Sequence, residues 1–399
     1  MSERRDYRDD GMRRDNGARR ENTHHQGYSS HPNHGDHRRP PRKKKKKGGA
    51  KRALLIALCV FLVLVLTLLI LGTAYMESLL GMINKVDKEQ QETMSQEEYQ
   101  QMLAEMQETV DENYTGEMLE DVDWEEHDGL LEDGEDIINI LLIGQDRRAG
   151  EGRSRSDVII LCTVNKPAKT VTLTSFMRDM YVQIPGYDDN RINAPYVYGG
   201  MELLDECLRV NFGVEVDGNV EVDFQSFIGV VDLMGGIEME LTAEEADYMN
   251  GNYSFDVDYH GTKEWNLTEG VQHLNGAQAL SYARMRYVGR GDYERTNRQR
   301  KVLSALMEKA KSLSLSELNV IMQHVLPMLT TDMENSEMIG YALELFPMLP
   351  DLKINTLRIP ADGSHEMTYI RQMSVLLPDL AENRELLEQV MNGTYSSED

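Results

Sequence analysis

Twenty-four consecutive residues without a charge, Ala53 to Met76 (ALLIALCVFLVLVLTLLILGTAYM), constrain this chain more than any other feature. As a helix the run is roughly 36 Å long, enough to cross a hydrocarbon core of about 30 Å with some tilt. A signal-peptide core is usually shorter and ends at a small-residue cleavage site, which GTAYM matches weakly, so the run reads as a retained anchor. A buried core helix of this length would not be charge-free and lysine-flanked. Directly before it stands RKKKKKGGAKR, Arg42–Arg52. Basic flanks stay in the cytoplasm, so the N-terminus is expected there, with everything after Met76 outside a single-pass cell-membrane protein.

The charge agrees with that division. The net charge of −26 hides 17 Lys and Arg against seven acidic residues in 1–52, about +10, and 25 against 61 in the rest, about −36. A nucleic-acid binder would usually keep its folded part basic, so nucleic acid is not an expected partner. Residues 1–52 are polar, rich in Arg, His, Asn and Gly, and read as a disordered basic cytoplasmic tail whose lysine run touches anionic headgroups. Five of the ten histidines, His24 to His37, are solvated tail residues on this reading. The three cysteines, Cys59, Cys162 and Cys207, form no disulfide framework and read as buried thiols.

Residues 77–136 are acidic and rich in Met, Glu and Gln, and EEYQQMLAEMQETV spaces Tyr99, Leu103, Met106 and Val110 as a helix does. They read as a partly helical stalk and acidic linker. A folded domain is expected over 137–313. IINILLIG, DVIILCTV and KTVTLTSF are three strands, the last two joined by the turn NKPAK. MELLDECLRVNFG predicts a helix from Met201 capped at Gly213. VEVDFQSFIGVVDLMGGIEMEL reads strand, helix, Gly-Gly stop, strand; TEGVQHLNGAQALSYARMRY reads helix then strand; a long helix follows from about Arg295 to Leu313. The expected class is α/β, a mixed central sheet covered by helices on both faces and preceded by one membrane span. Residues 314–399 continue helical, with a strand-like LKINTLRIP, as a flank packed on that domain.

Charges gather at the ends of these strands, where ligands of α/β sheets sit. Asp146 follows the first strand, and Arg155 and Asp157 open the second, two apart and so on one face. Arg178 lies just past the third. SYARMRY sets Arg284 and Arg286 two apart on an expected strand, and GRGDYERTNRQRK supplies Asp292, Arg295 and Gln299, the last two sharing a helix face. Converging arginines repel unless an anion lies among them, and planar guanidinium forks fit phosphate oxygens in pairs. Two nearby carboxylates suit a hard ion such as Mg²⁺, which commonly takes one or two of them plus substrate phosphates. The set describes a pyrophosphate site; its bland counterpart is surface ion pairing, such as Asp146 with Arg148 and Arg178 with Asp179. The chain has no P-loop, no H-E-x-x-H, no G-x-S-x-G and no paired Cys-x-x-Cys, and His260, His273 and His365 stand alone as structural residues.

At these residues the chain resembles the LytR–CpsA–Psr (LCP) family of cell-envelope glycopolymer transferases. The resemblance covers about 137–313 and rests on six blocks in order: NILLIGQDRR leading to RSDVIIL, SFMRDMYVQIPG, RINAPYVYGG, VDFQSFIGVVDLMGGIEMEL, LNGAQALSYARMRY and DYERTNRQRKVL. It implies transfer of anionic or other glycopolymers, teichoic acid among them, from polyprenyl pyrophosphate to peptidoglycan through a phosphodiester. By motif position it implies Asp146 and Asp157 as ligands of Mg²⁺ (or Mn²⁺), and Arg148, Arg155, Arg178, Arg284, Arg286, Arg295 and Gln299 as pyrophosphate contacts. Arg155, Arg284, Arg286 and Arg295 then double as catalytic groups, and Asp292, or Asp157, is a candidate base. Val182 stands where some members carry a further arginine. The family fold has an apolar cleft for the polyprenyl chain, for which 201–212, 224–234 and Ile237–Leu241 are candidate walls. Rival readings are a membrane-anchored lipid-pyrophosphate phosphatase, which would use the same site, and a regulatory or attenuator protein, against which the topology argues.

Overall fold

The computed structural model describes residues 49–87, 93–105, 118–124, 129–132, 136–145, 153–251 and 265–397. The basic tail to residue 48, Asp146, Arg148 and His260 lie outside the described residues. The chain divides into two units, residues 1–64 and 65–399. Helix α1 (Gly49–Leu80) begins in the first and ends in the second. Among the described residues it is the one helix long and apolar enough to cross a membrane, with a mean hydropathy of 2.0 over Phe61–Leu80.

The second unit is built on a mixed seven-stranded sheet. Its strands in chain order are β1 (Asn84–Lys85), β2 (Ile137–Gln145), β3 (Ser156–Asn165), β4 (Thr170–Phe176), β5 (Gly218–Asp223), β8 (Thr330–Thr331) and β9 (Lys353–Ile359); β6 (Ile237–Leu241) and β7 (Gly270–Leu274) form a separate antiparallel pair. Across the main sheet the order is β1-β8-β5-β2-β3-β4-β9. The β2–β3–β4 meander is antiparallel, as the short NKPAK link requires, whereas β5 and β9 join it in parallel. Parallel neighbours need crossovers, and helices supply them.

The pleat sorts the apolar residues of β2 and β3 onto two faces. Leu141, Ile143, Ile159 and Leu161 point into a closed core against helices α2 (Pro195–Phe212) and α7 (Leu380–Met391), with Met201, Leu204, Cys207, Leu208, Phe212 and Leu387. Ile138, Ile140, Leu142, Val158 and Ile160 point the other way, where Leu303, Met307, Tyr341 and Leu345 cover part of the face. The remainder is the floor of a cavity.

Local signals explain the elements around that cavity. Helix α2 ends at Gly213, which takes the left-handed φ of 69° that L side chains rarely adopt and returns its N–H to the Arg209 carbonyl. Asp223 caps α3 (Phe224–Leu233) by accepting from the Ser226 N–H at 2.8 Å. One expectation is reversed. The stretch read as helix then strand is strand β7 followed by helix α4 (Gly276–Arg284). Asn275 and Gln278 form a capping box that starts the helix late, and no strand follows, because Met285 leaves it into a turn. The predicted long helix is α5 (Asp292–Ser312), followed by α6 (Leu315–Val325).

Both flanking regions are integral to the sheet unit. Residues 314–399 supply β8, β9, the hairpin His365–Ile370/Met373–Pro378 and α7. From the segment read as stalk come β1 and the helix Gln96–Glu105, whose Tyr99 is 2% exposed and packs edge-on, 5.1 Å from both Tyr187 and Tyr198.

Candidate active site

A cavity of about 390 Å³ lies on the open face of the sheet. Its floor is Leu142, Val158, Ile160, Val220 and Val222, and its walls come from α3, α4 and α5. The lining changes along α5: Arg295 and Gln299 come first, then Val302, Leu303 and Leu306. Eleven residues of helix separate Arg295 from Leu306, roughly 16 Å of rise. The other walls repeat the gradient, with Arg284 after Leu280 and Ala283 on α4, and Phe227 and Val230 after Asp223 and Phe224 on α3. The Arg284 guanidinium lies over the Phe224 ring, 4.4 Å from its centroid. One end of the cavity is therefore cationic and the rest apolar.

A second, polar cavity of about 310 Å³ is lined by Ser154, Arg155, Asp157, Arg178, Asp179, Arg191 and Asn193. Asp157 borders both cavities. Arg178 ties the two together: its Nη1 donates to Asp157 Oδ1 at 2.7 Å and its Nε to Asp292 Oδ2 at 3.3 Å. Arg295, 5% exposed, donates from Nη2 to the same Asp292 oxygen at 3.0 Å, and Arg286 Nε stands 3.9 Å from Asp292 Oδ1. On the other side Asp179 sits 3.5 Å from Arg178 Nε and 3.8 Å from Arg191 Nε. The Arg295 Nε and the Asn193 Oδ1 are buried without a hydrogen-bond partner among the described residues.

The electrostatics follow from this crowding. Burial would weaken the charge on Arg178, but Asp179, Asp157 and Asp292 more than offset it, so its pKa rises. Arg295 moves the other way, because burial and the neighbouring Arg178 outweigh the pull of Asp292. Burial also acts upward on Asp292, yet Arg295, the hydrogen bond from Asp179, Arg178 and Arg286 hold it below the usual carboxylate range. Asp179 is held above that range by burial and by Asp292, with Arg178 opposing. Around the two cavities six guanidiniums (155, 178, 191, 284, 286, 295) face four carboxylates (157, 179, 223, 292). The surplus is cationic, which suits a strongly anionic ligand at the end of an apolar chain.

Second contacts hold these groups in place. Gln145, buried at the β2 bulge, accepts the Ser154 N–H at 2.9 Å and so fixes the backbone beside Arg155. Arg298, 3% exposed, donates to Glu245 Oε1 at 2.8 Å and to the carbonyls of Met285 and Val288 at 3.2 and 3.0 Å. Those carbonyls bracket the turn that carries Arg286. A buried arginine thereby shapes a catalytic candidate it does not touch.

The structure brings together Arg155, Asp157, Arg178, Arg284, Arg286, Asp292, Arg295 and Gln299. Arg284 and Arg286 do so from a helix end and the turn after it, not from a strand. Of the expected cleft walls only α3 lines the cavity; α2 spends its apolar face on the closed core, and Ile237, Met239 and Leu241 pack in a separate cluster with Val231, Leu274 and Tyr282. Asp179, Arg191, Asn193 and Asp223 join the site unannounced by sequence; Asp179 reads there as a surface partner of Arg178, and the signal available was its place in the block SFMRDMYVQIPG. His273 pairs with Glu238 at 2.5 Å, and His365 with Tyr293 at 2.6 Å, and neither pair lines either cavity.

A sequence model described as the LytR_cpsA_psr family matches residues 83–390. The chain is 34% identical over 184 residues to the polyisoprenyl-teichoic acid–peptidoglycan teichoic acid transferase TagU of Bacillus licheniformis, covering 46% of this chain and 55% of that one. It is 35% identical over 204 residues to TagU of Enterococcus faecalis, covering 50% and 62%. The aligned part is thus little more than half the length of these curated relatives. The crystal structure of B. subtilis TagV superposes with a TM-score of 0.53 at 28% identity, covering 65% of this chain and 98% of that one.

Proposed function

Because the chain belongs to the LytR–CpsA–Psr family, we propose that it is a phosphotransferase that moves a glycopolymer from polyprenyl pyrophosphate onto peptidoglycan through a phosphodiester bond. The observation that carries this reading is the cavity that passes from Val302, Leu303 and Leu306 to Arg295, Arg286, Arg284 and Asp157, an apolar slot ending in a guanidinium cluster. It matches a ligand with a hydrocarbon tail and a diphosphate head. The names of the relatives, teichoic acid transferases acting on peptidoglycan, support the acceptor and the polymer class. On this reading helix α1 is the anchor, and the lysine run before it supports a cytoplasmic N-terminus with the sheet unit on the outer face of the cell membrane.

The residues divide the work by position. Arg155, Arg178 and Arg191 line the polar cavity, and Arg284, Arg286, Arg295 and Gln299 line the head of the apolar one. A diphosphate at their junction meets donors from both sides. A peptidoglycan hydroxyl attacks the phosphorus on the glycopolymer side, the bridging P–O bond breaks, and polyprenyl phosphate leaves, taking up the equivalent of the proton that the hydroxyl gives off. Negative charge grows on the phosphoryl oxygens and on the leaving oxygen, and the fixed guanidiniums stabilise it without reorganising. Asp292 accepts from Arg178 and Arg295 and its proton affinity is reduced, which suits it to orienting them. The Asp157 carboxylate, at the junction of the cavities, fits a hard divalent ion together with Asp146, which lies outside the described residues. When bound there, Mg²⁺ or Mn²⁺ would neutralise the diphosphate.

The test is incubation of the full chain with a lipid-pyrophosphate-linked glycopolymer, with and without peptidoglycan oligomers. The joined product is expected only with both. Arg284→Ala should cut its formation by about 10²-fold or more, the scale for losing one preorganised transition-state donor, with an unchanged circular dichroism spectrum. Release of free glycopolymer phosphate at the same rate with or without acceptor would favour the phosphatase reading. Undiminished joining by Arg284→Ala would remove Arg284 from the mechanism.

A further inference from the structure

Helix α6 is unlike the other helices around the cavity. Leu318, Val320, Ile321, Met322 and Val325 make half of it apolar, yet none of its described residues is buried, and Val320 is 57% exposed. The turn that follows, Leu326–Met328, has no buried residue either. An apolar helix left half-covered on a soluble face is unfavourable unless something covers it.

Its neighbours indicate what does. Tyr75, near the end of α1, donates its hydroxyl to Asn319 Oδ1 at 2.6 Å and accepts from Gln323 Nε2 at 3.0 Å. Glu77, the first charged residue after Arg52, accepts from Asn335 at 3.0 Å. Asn84 donates through its N–H and Nδ2 to the Leu329 carbonyl, both at 3.1 Å, and β1 pairs with β8 directly after. No free stalk separates the end of the span from α6. A tyrosine and the first charge after a span mark the membrane–water interface, so α6 is held at that level by its hydrogen bonds to Tyr75, and the helix Asn335–Leu345 by its bond to Glu77. Val325 and Leu329, its last residue and the turn beyond, line the apolar part of the cavity.

We infer that α6 and the Leu326–Leu329 turn dock into the bilayer interface beside the span, forming the wall between the membrane and the apolar cavity. A polyprenyl chain then passes from bilayer to cavity along apolar side chains without crossing water. This rests on the anchor reading of α1 given above. Residues 315–329 hold Glu317 and no Lys or Arg, so apolar burial and not attraction to anionic headgroups drives the contact.

The experiment uses the full chain in vesicles of zwitterionic phosphatidylcholine. A photoreactive benzophenone amino acid replaces Leu68 in the span, Val320 on α6, or Met367, in separate variants. Met367 is 68% exposed, on the hairpin that follows β9 at the opposite sheet edge from β1. After illumination, mass spectrometry detects phospholipid adducts. Adducts are expected at Leu68 and, comparably, at Val320, and are lost at Met367. Adduct at Leu68 with none at Val320, or equal adduct at Val320 and Met367, would overturn the docking while leaving the anchor intact. Absence at Leu68 itself would remove the anchor, and the docking with it.

Discussion

Asp292 shows how one side chain is shaped by what converges on it. Arg178 approaches it from a different part of the chain at 3.3 Å, Arg286 from the turn before its helix at 3.9 Å, and Arg295 from the next turn of the same helix at 3.0 Å. Burial opposes its charge, but these cations and Asp179 prevail and hold its pKa low. A carboxyl group whose folded-state pKa lies below its unfolded one contributes stability above the unfolded value, about 4, and loses it as pH falls through the folded value. Wild type should therefore have the higher Tm at pH 6, and its advantage over Asp292→Asn should shrink towards pH 3. Scanning calorimetry across that range checks this; parallel Tm curves would mean the arginines do not hold Asp292 as the geometry indicates. The same crowding explains why a reading along the chain passes over Arg191 and Asn193 and takes Asp179 for a surface partner of Arg178. Each looks like an ordinary polar residue until the fold sets it beside Arg178 or Asp157.

Between elements, the close approach of α4 to α3 shapes the cavity. Gly276 opens α4 and donates its N–H to Asp232 at 2.7 Å, and a Cβ at this position would lie 2.2 Å from the Ile228 carbonyl oxygen. Gly276→Ala must push α4, which carries Arg284, away from α3, which carries Phe224 and Phe227. The expected cost is about 1–3 kcal/mol of stability, as for overpacking generally, with weaker binding of the lipid-linked donor. Urea denaturation and donor titration measure the two effects; unchanged values for both would show that the helices separate without consequence. The turn after α4 carries a related lesson. Ala283, Met285 and Tyr287 alternate with Arg284 and Arg286, which is the period of a strand. The carbonyls of Met285 and Val288 bond instead to Arg298, a side chain on the next helix that strand periodicity does not take into account.

Across the fold, the sheet unit reaches further in both directions than its motifs suggest. The family match runs over residues 83–390, and the sheet recruits β1 on one edge and β9 on the other. Tyr99 fills the closed core from the acidic segment before β2. A chain beginning at residue 137 should thus lose at least about 3 kcal/mol relative to one beginning at residue 81, the scale for emptying a buried aromatic site. Chemical denaturation of the two truncated proteins tests this; equal midpoints would make the preceding segment a mere spacer.

Strands β2, β3 and β4, the Gly213 cap, the length of α5 and the apolar helix α1 were readable from residue order, because each depends on period, capping chemistry or length within one short stretch. The arginine-rich blocks were readable too, though Arg284 and Arg286 reach the cavity from a helix end and the turn after it and not from the strand that their spacing suggests. The reach of the sheet, the direction of the cavity and the partners of Asp292 were not readable, because they depend on distances between residues up to hundreds of positions apart. Short-range chemistry is written in neighbouring side chains; convergence through space exists once the chain has packed.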